Sequence, residues 1–358
     1  RGEPARRVAA AMATRGGTLT EADFAAYRAV ERAPVTCDYR GLRLISAPPP
    51  SSGGVTLCLI LGVLEGFDLK AMGWHSAASV RVLVEAMRHA YLDRNTLLGD
   101  PDFVKVPVDR LVSQDYAAAV RARILAEGRI PSERLAPGTP PHEKPETTHY
   151  SVVDASGNAV AVTYTVNGLF GAAVVAPGTG FLLNDEMDDF TVKPGVANLF
   201  GLVQGERNAI APGKRPLSSM APTVVTRDGR PFLVLGSPGG SRIITILAET
   251  LSNVVDHGMK PQEAVNAPRL HHQWLPDVVY AEPFALSADT RALLAADGYR
   301  IEEQTPWGAA MVVEVGPPQA AAGPASSGND AASSGAVRPG LLYGAADDRR
   351  PAGAALGD

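Results

Sequence analysis

The stretch KPETTHYSVVDASGNAVAVTYT, Lys144–Thr165, is the part of the chain that says most about its fold. Two runs rich in β-branched and aromatic residues flank a turn sequence at residues 156–158, which predicts two antiparallel strands. Two threonines, Thr147 and Thr148, open the first strand. They are either ordinary strand formers or a point at which the chain cuts itself.

The chemistry of threonine explains the second alternative. A threonine hydroxyl is a weak nucleophile until a base lies beside it, and a free amino terminus on the same residue can be that base. Thr147 would therefore have to become an amino terminus by cleavage after Glu146. The proline-rich polar tract RLAPGTPPHEKPE, residues 134–146, precedes it and is expected to be exposed and mobile. The pattern alone leaves both interpretations open.

Composition excludes several classes of protein. The 358 residues carry a net charge of −5, and no run of lysine and arginine indicates nucleic-acid binding. No apolar run reaches the length of a membrane-spanning helix. Cys37 and Cys58 are too few for a disulfide scaffold; one bridge is possible, but we expect two plain thiols and no metal site. The chain opens on Arg1 in a helical pattern without a visible signal peptide, which favours a fragment or processed piece.

The order of elements predicts an α+β protein. Helices are expected at 4–14, in TLTEADFAAYRAVER, VTLCLILGVLEGF, HSAASVRVLVEAMRHAYLDR and SADTRALLAADG, and VTCDYRGLRLISA is expected to form a hairpin. After Thr147 strands dominate, including GFLLND and a pair joined by RDGR. This pattern indicates packed sheets covered by helices. Residues 317–338 are low-complexity and are predicted to be a flexible insertion.

A glycine-rich turn is a further candidate site. In LVLGSPGGSRIITIL, Leu233–Leu247, a strand runs into Gly239 and Gly240, and a helix capped by Ser241 should follow. Backbone amides at such a turn suit a carboxylate, a phosphate or a developing oxyanion. The turn lacks the lysine of a P-loop and the dinucleotide fingerprint. A plain tight connection is the alternative.

Three polar clusters complete the candidates. LLNDEMDDF, residues 182–190, groups acids that could bind a cation or a substrate ammonium, or form a solvated loop. Ser218 and Ser219 lie in a loop stiffened by prolines, and PPPSSGG, residues 48–54, is either a connector or a loop that lines a site with Ser51 and Ser52. Adjacent histidines in HHQWLPD point in different directions, so we interpret them as structural.

Together these segments resemble the γ-glutamyltransferase (γ-glutamyl transpeptidase) family. The matching stretches occur in the family's order over nearly the whole chain except 317–338: YRAVERAPVTCDYRG, PPPSSGG, LGDPDFVKVP, TTHYSVVD, GNAVAVTYT, LLNDEMDDF, KPGVANLFGLV, KRPLSSMAPT, GSPGGSRI and NAPRLHHQWLPD. The resemblance implies an N-terminal-nucleophile hydrolase fold, a four-layer αββα sandwich. Here it would be incomplete at its amino-terminal side.

The resemblance also implies a cleavage site, two subunits and a role for each site residue. A precursor would cleave itself between Glu146 and Thr147, giving residues 1–146 as part of a large subunit and 147–358 as a small subunit that stay together. Thr147 would attack the γ-carbonyl of glutathione or another γ-glutamyl compound, and the acyl ester would pass to water, an amino acid or a dipeptide. The remaining implied roles fall on Thr165 (hydrogen bond to the nucleophile), Gly239 and Gly240 (oxyanion hole), Asn167, Glu186 and Asp189 (α-ammonium), Ser218 and Ser219 (α-carboxylate) and Phe200 (lid).

The resemblance implies no cofactor and a periplasmic or secreted location. Phe200 stands where bacterial members often carry a tyrosine, so a hydroxyl-mediated gate is not expected. The family's longer amino-terminal portion, which supplies an arginine for the substrate carboxylate, has no counterpart in this sequence. Two alternatives therefore stay open: a sibling amidase such as a cephalosporin acylase, and an inactive truncated copy.

Overall fold

The structure is a computed structural model that describes residues 2–135, 147–317, 338–351 and 353–357. The helices are α1 (Glu3–Arg15), α2 (Glu21–Ala26), α3 (Gly53–Leu64), α4 (Leu69–Met72), α5 (Ala77–Leu97), α6 (Val108–Leu111), α7 (Gln114–Glu127), α8 (Ser132–Leu135), α9 (Ile243–Val255), α10 (Pro261–Asn266) and α11 (Ala288–Ala296). Short 3-10 turns cover Glu186–Asp189, Glu206–Asn208 and Gly240–Arg242.

The strands form three sheets. They are β1 (Val35–Tyr39), β2 (Leu42–Ser46), β3 (Thr148–Val153), β4 (Ala159–Tyr164), β5 (Thr223–Arg227), β6 (Arg230–Gly236), β7 (Leu270–His271), β8 (Val279–Ala281), β9 (Ile301–Glu303), β10 (Met311–Val315) and β11 (Leu342–Ala346). The main sheet is antiparallel with the order β1-β2-β5-β6-β10-β11. β3 and β4 form a hairpin, and β7, β8 and β9 form a small mixed sheet.

The main sheet is covered on both faces. Successive side chains of a strand point to opposite faces, and all five residues from Phe232 to Gly236 are buried. Leu233 and Leu235 join the large core formed with α3, α5 and α9, whereas Gly236 faces the hairpin. A Cβ at Gly236 would come within 2.1 Å of the His149 ring, so glycine here lets the hairpin that begins beside Thr147 lie close to the sheet.

The layers match the predicted α+β class. Helices cover one face of the main sheet, and the β3–β4 hairpin packs on β5, β6 and β10 as a second β layer. The outer face of the hairpin carries Tyr150, Val152, Val160 and Tyr164, each about half exposed. The second sheet of the αββα arrangement is thus present, within the described residues, as two strands.

Several local predictions are confirmed. Gly41 lies in the β1–β2 turn, the RDGR turn joins β5 to β6, and the turn at 156–158 joins β3 to β4. In that last turn Asp154 Oδ1 accepts the amides of Ser156 at 2.9 Å and Asn158 at 2.8 Å. Hydrogen bonds within the turn itself therefore explain why the chain reverses between the two strands of the hairpin that starts at the two threonines.

Other local predictions were wrong. The second helix ends at Ala26 instead of reaching residue 32, since the chain beyond it is extended and Arg32 pairs with Asp102 at 2.5 Å. GFLLND forms no strand and makes one isolated bridge, Leu182 to Val175. The Ser241 hydroxyl does not cap α9, because it donates to Gln273 Oε1 at 2.7 Å. In all three segments, contacts with residues distant in the sequence override the local pattern on which the prediction rested.

The two cysteines are not free thiols. Cys37 on β1 and Cys58 on α3 form a disulfide, with their Cα atoms 5.9 Å apart. α3 packs on β1, and this packing places the two side chains together. Sequence reasoning missed the bridge because the pairing depends on how a helix docks on a strand.

Two kinds of feature are absent from the residues that the structure describes. No helix there is long and apolar enough to cross a membrane, and no group of histidine, cysteine or acidic residues is arranged to hold a metal ion. Glu146, the rest of the tract 136–146 and most of the predicted insertion, residues 318–337, lie outside the described residues.

Candidate active site

Thr147 lines a pocket of about 260 Å³. All the described residues to which the family resemblance gives a role line this pocket except Gly239, which precedes Gly240 in the turn. The lining also includes Met220, Ser241 and Ile243, which sequence reasoning did not assign. The lining residues are Thr147, Thr165, Asn167, Glu186, Asp189, Phe200, Ser218, Ser219, Met220, Gly240, Ser241 and Ile243.

The hairpin register brings the two threonines together. Thr148 pairs with Tyr164, so the preceding Thr147 lies beside Thr165, and the Thr147 hydroxyl donates to Thr165 Oγ1 at 3.3 Å. Thr165 Oγ1 also accepts the amide of Asn167 at 2.8 Å. The Thr147 side chain is thereby oriented, and only 9% of the residue is exposed.

His149 anchors this hairpin to the sheet. Its ring bonds Thr163 Oγ1 at 2.7 Å and Ser151 Oγ at 3.0 Å, and it packs under Gly236. Burial lowers the pKa of His149 to about 4, so the ring is neutral at physiological pH. The sequence signal for this residue is its place on the inward face of β3, two positions after Thr147.

The turn after β6 carries the two glycines at positive φ. Gly239 has φ 145° and Gly240 φ 53°, values that favour glycine. A 3-10 turn, Gly240–Arg242, leads into α9, and the amino-terminal end of that helix adds positive potential near the pocket. This arrangement suits a negatively charged oxygen beside Gly240.

Two partly buried carboxyl groups give the pocket its acidic side. Burial, aided by Asp185, raises the pKa of Glu186 to about 7. Burial and then Glu186 raise the pKa of Asp189 to about 8. Glu186 Oε1 has no hydrogen-bond partner among the described residues. An ammonium group would satisfy this oxygen and favour ionisation of both acids.

Two serine hydroxyls face the pocket as donors. The amide of Met220 donates to Ser218 Oγ at 3.1 Å, and Arg94 Nη2 donates to Ser219 Oγ at 2.9 Å. Each hydroxyl thus accepts at its oxygen, and its single proton can be donated to an acceptor in the pocket. Such a pair suits a carboxylate.

Arg94 is a site-supporting residue that sequence reasoning missed. It is fully buried on α5 and also donates through Nε to Ser52 Oγ at 2.9 Å. Burial lowers its pKa to about 10, so it stays charged near neutral pH and places a cation behind the serines. Arg94 follows Tyr91 by three positions, on the same helix face as Val80, Met87 and Tyr91, and this spacing was the available signal.

The PPPSSGG loop supports the serine loop instead of lining the pocket. Ser52 donates from its amide and its hydroxyl to the carbonyl of Ser218, at 2.8 and 2.7 Å, and the amide of Ser218 donates to Pro50 at 3.1 Å. A Cβ at Gly53 would lie 2.3 Å from the Met220 carbonyl. The loop therefore holds Ser218 and Ser219 from behind.

Gln273, in the HHQWLPD segment, joins two walls of the pocket. It accepts from Ser241 and donates through Nε2 to the Phe200 carbonyl at 3.0 Å. The two histidines are fully buried, and burial lowers the pKa of His272 to about 3. The structural interpretation of this segment is confirmed. Phe200 itself is 3% exposed, and its role as a lid stays a prediction.

Comparisons with known proteins identify the family of the chain. A family model of gamma-glutamyltranspeptidase matches residues 1–355. A glutathione hydrolase proenzyme from Pseudomonas sp. (strain A14) is 52% identical over all of this chain, which covers 60% of that protein.

Two solved structures are similar as well. The gamma-glutamyltranspeptidase from Pseudomonas nitroreducens complexed with L-DON is 46% identical, with a TM-score of 0.50 over 59% of this chain and 100% of that one. The cephalosporin acylase from Bacillus halodurans is 26% identical, with a TM-score of 0.72 over 88% of this chain and 55% of that one. The chain spans about 60% of the length of the Pseudomonas sp. (strain A14) protein. It belongs to the gamma-glutamyltranspeptidase family.

Proposed function

We propose that the protein hydrolyses and transfers γ-glutamyl groups from glutathione and other γ-glutamyl compounds. The observation that carries this proposal is the pairing, in one pocket, of an oriented threonine hydroxyl with separate groups for an ammonium and a carboxylate. A γ-glutamyl group carries both charges on its α-carbon and a reactive carbonyl at the other end. The acids would bind the ammonium, and Ser218 and Ser219 the carboxylate.

The proposed chemistry begins with cleavage between Glu146 and Thr147. The freed Thr147 amine then takes the hydroxyl proton as Oγ1 attacks the γ-carbonyl, and the amides of Gly239 and Gly240 stabilise the oxyanion. Collapse of the tetrahedral intermediate breaks the amide bond, and the leaving amine takes a proton. Water or the amine of an amino acid or dipeptide then attacks the γ-glutamyl-threonine ester and releases Thr147.

The division into two subunits has support in chain lengths. Residues 147–358 are 212 of the 358 residues, about 59% of the chain. The Pseudomonas nitroreducens structure matches over its full length and covers a share of this chain of equal size, 59%. We therefore infer that residues 147–358 form a small subunit and residues 1–146 part of its large partner.

Amino-terminal sequencing tests the cleavage directly. Incubated protein should give a smaller band on a denaturing gel whose sequence begins at Thr147, with release of p-nitroaniline from γ-glutamyl-p-nitroanilide. A single band that does not change with time contradicts the self-cleavage step, even if γ-glutamyl binding persists.

A sibling amidase is the second candidate, because the acylase structure aligns over 88% of the chain. A glutaryl anilide differs from the γ-glutamyl anilide in lacking the α-ammonium. If Glu186 and Asp189 bind that group, the γ-glutamyl substrate should have the larger kcat/KM. Preference for the glutaryl compound would favour the acylase assignment.

We also infer an oxidising compartment outside the cytoplasm. The Cys37–Cys58 disulfide supports it, because such bonds persist mainly in oxidising environments. Mass spectrometry of unreduced protein from its native host, after thiol alkylation, should show both cysteines unmodified. Alkylation of both would contradict this location.

A further inference from the structure

A second cleft borders α4, α5 and α9. It has a volume of about 360 Å³ and opens between the start of α5 and the middle of α9. The two cavities have no lining residue in common, so a ligand could occupy this cleft whether or not the proposed function is correct. The cleft is lined by Leu69, Trp74, His75, Ser79, Val80, Leu83, Glu249, Ser252, Asn253 and His257.

Glu249 is the buried acid of this cleft. Its side chain is 5% exposed, and Oε1 accepts the amide of Leu270 at 2.8 Å. Oε2 is buried and has no hydrogen-bond partner among the described residues. Burial raises the pKa of Glu249 well above its ordinary value. A buried polar atom without a partner is costly, so an occupant that donates to Oε2 would be stabilising.

His75 adds a second acceptor. Its Nδ1 lies 2.8 Å from the carbonyl of Ala285, and a carbonyl only accepts, so Nδ1 carries the proton. Burial lowers the pKa of His75 to about 4, so the ring is neutral and Nε2 is an acceptor. Nε2 lies 4.0 Å from Glu249 Oε1, which lets one donor group reach both side chains.

Three other polar groups of the cleft donate within the protein, and Asn253 Nδ2 donates one of its two hydrogens to the Ala264 carbonyl at 3.4 Å. Trp74 Nε1 donates to Asn253 Oδ1 at 2.9 Å, Ser79 Oγ to the Gly73 carbonyl at 2.8 Å, and Ser252 Oγ to Asp256 Oδ2 at 2.8 Å. The inner end of the cleft therefore offers acceptors to an occupant. Leu69, Val80 and Leu83 supply apolar walls, and His257 also lines the cleft.

We propose that this cleft binds a short alkyl primary amine in its ammonium form. The –NH₃⁺ group donates to Glu249 Oε2 and His75 Nε2, and the alkyl chain lies on the leucine and valine walls. An ammonium has three donors and no acceptor, which complements this inner end.

Three ligands of one chain length test this chemistry on the unaltered protein. Butylammonium has donors and a charge, butan-1-ol has one donor and no charge, and butyltrimethylammonium has a charge and no N–H donor. At constant ionic strength, butylammonium should raise the Tm in a saturable way, and its affinity should exceed that of both others by about tenfold or more. Equal effects of all three, or no effect of butylammonium, would overturn the proposal.

Matched variants locate the site. Glu249→Gln keeps the side-chain shape and should weaken butylammonium binding about tenfold or more. Glu127→Gln removes an exposed acid that pairs with Arg123 and should leave binding unchanged. If Glu249→Gln does not fold, His75→Phe keeps a ring while it removes the Nε2 acceptor and should weaken binding too. Unchanged affinity in a folded Glu249 or His75 variant contradicts this placement.

Discussion

The protein buries acids in two different electrostatic settings. Asp347, at the end of β11, accepts from buried Arg269 and from Arg349 Nη1 at 2.9 Å. Burial alone would raise the pKa of Asp347, but the two arginines outweigh it and hold the pKa below its ordinary value. In the candidate pocket, the effect of burial outweighs that of nearby positive charge. The pKa values of Glu186 and Asp189 therefore rise to about 7 and about 8.

The opposite pKa shifts distinguish acids that stabilise the fold from acids that are candidates for binding a ligand. A buried acid with its cations in place stabilises a packed structure, and removal of one partner is costly. A buried acid with too little positive charge beside it is a cost to the folded state, and such acids are candidates for binding. The two sets should therefore respond in opposite ways to substitution.

The largest effect is expected at the proposed nucleophile. Thr147→Ala removes the hydroxyl, so it should abolish both self-cleavage and turnover, a loss of at least about 10³-fold in kcat. Gel electrophoresis and a p-nitroanilide assay measure the two effects. Thr148→Ala, one position along the strand and exposed, is the matched control and should retain both. Turnover that survives in Thr147→Ala would point to another nucleophile.

Asp347→Asn should mainly weaken the fold. It leaves Arg269 buried with an incomplete charge partner, at a cost of about 3–5 kcal/mol in the free energy of unfolding. Denaturant unfolding measures this cost. A change below about 1 kcal/mol would show that the arginine network relaxes around the substitution, and the comparison with the pocket acids would fail.

Asp189→Asn should behave in the opposite way. It should lower kcat/KM for a γ-glutamyl substrate about 10- to 100-fold, chiefly through KM, because a charge-assisted hydrogen bond to the ammonium is lost. The free energy of unfolding near pH 8 should stay equal or rise, since the folded state no longer resists ionisation of this group. Loss of stability comparable with that of Asp347→Asn would place Asp189 among the structural acids.

The smallest expected effect is a gradual change of kcat/KM and of stability with pH. With pKa values raised to about 7 and 8, Glu186 and Asp189 become protonated as pH falls through this range and cannot pair with an ammonium. The kcat/KM should therefore fall below about pH 8, while unfolding of the ligand-free protein should grow easier as pH rises from about 4 to 8. A flat kcat/KM profile between pH 6 and 9 would contradict the assignment.

Much of the site was predictable because its residues stand in short, distinctive segments. The acidic loop, the serine pair, the glycine turn and the threonine junction were each visible as local patterns. Their convergence was not derivable from spacing alone, and it rested on the family resemblance. Arg94 and His149 were missed because each looks like an ordinary helix or strand residue until its partner segment is placed.

Local sequence patterns were enough to predict the hairpins, the long helices α5 and α9, and the candidate chemistry of Thr147. These features depend on alternation, capping and turn residues within a few positions of one another. Contacts between distant parts of the chain account for the Cys37–Cys58 bridge, the early end of α2 and the opposite settings of Asp347 and Asp189. Each of these depends on which distant side chain lies alongside, and a carboxyl group takes its charge state from those neighbours and from the water that they exclude.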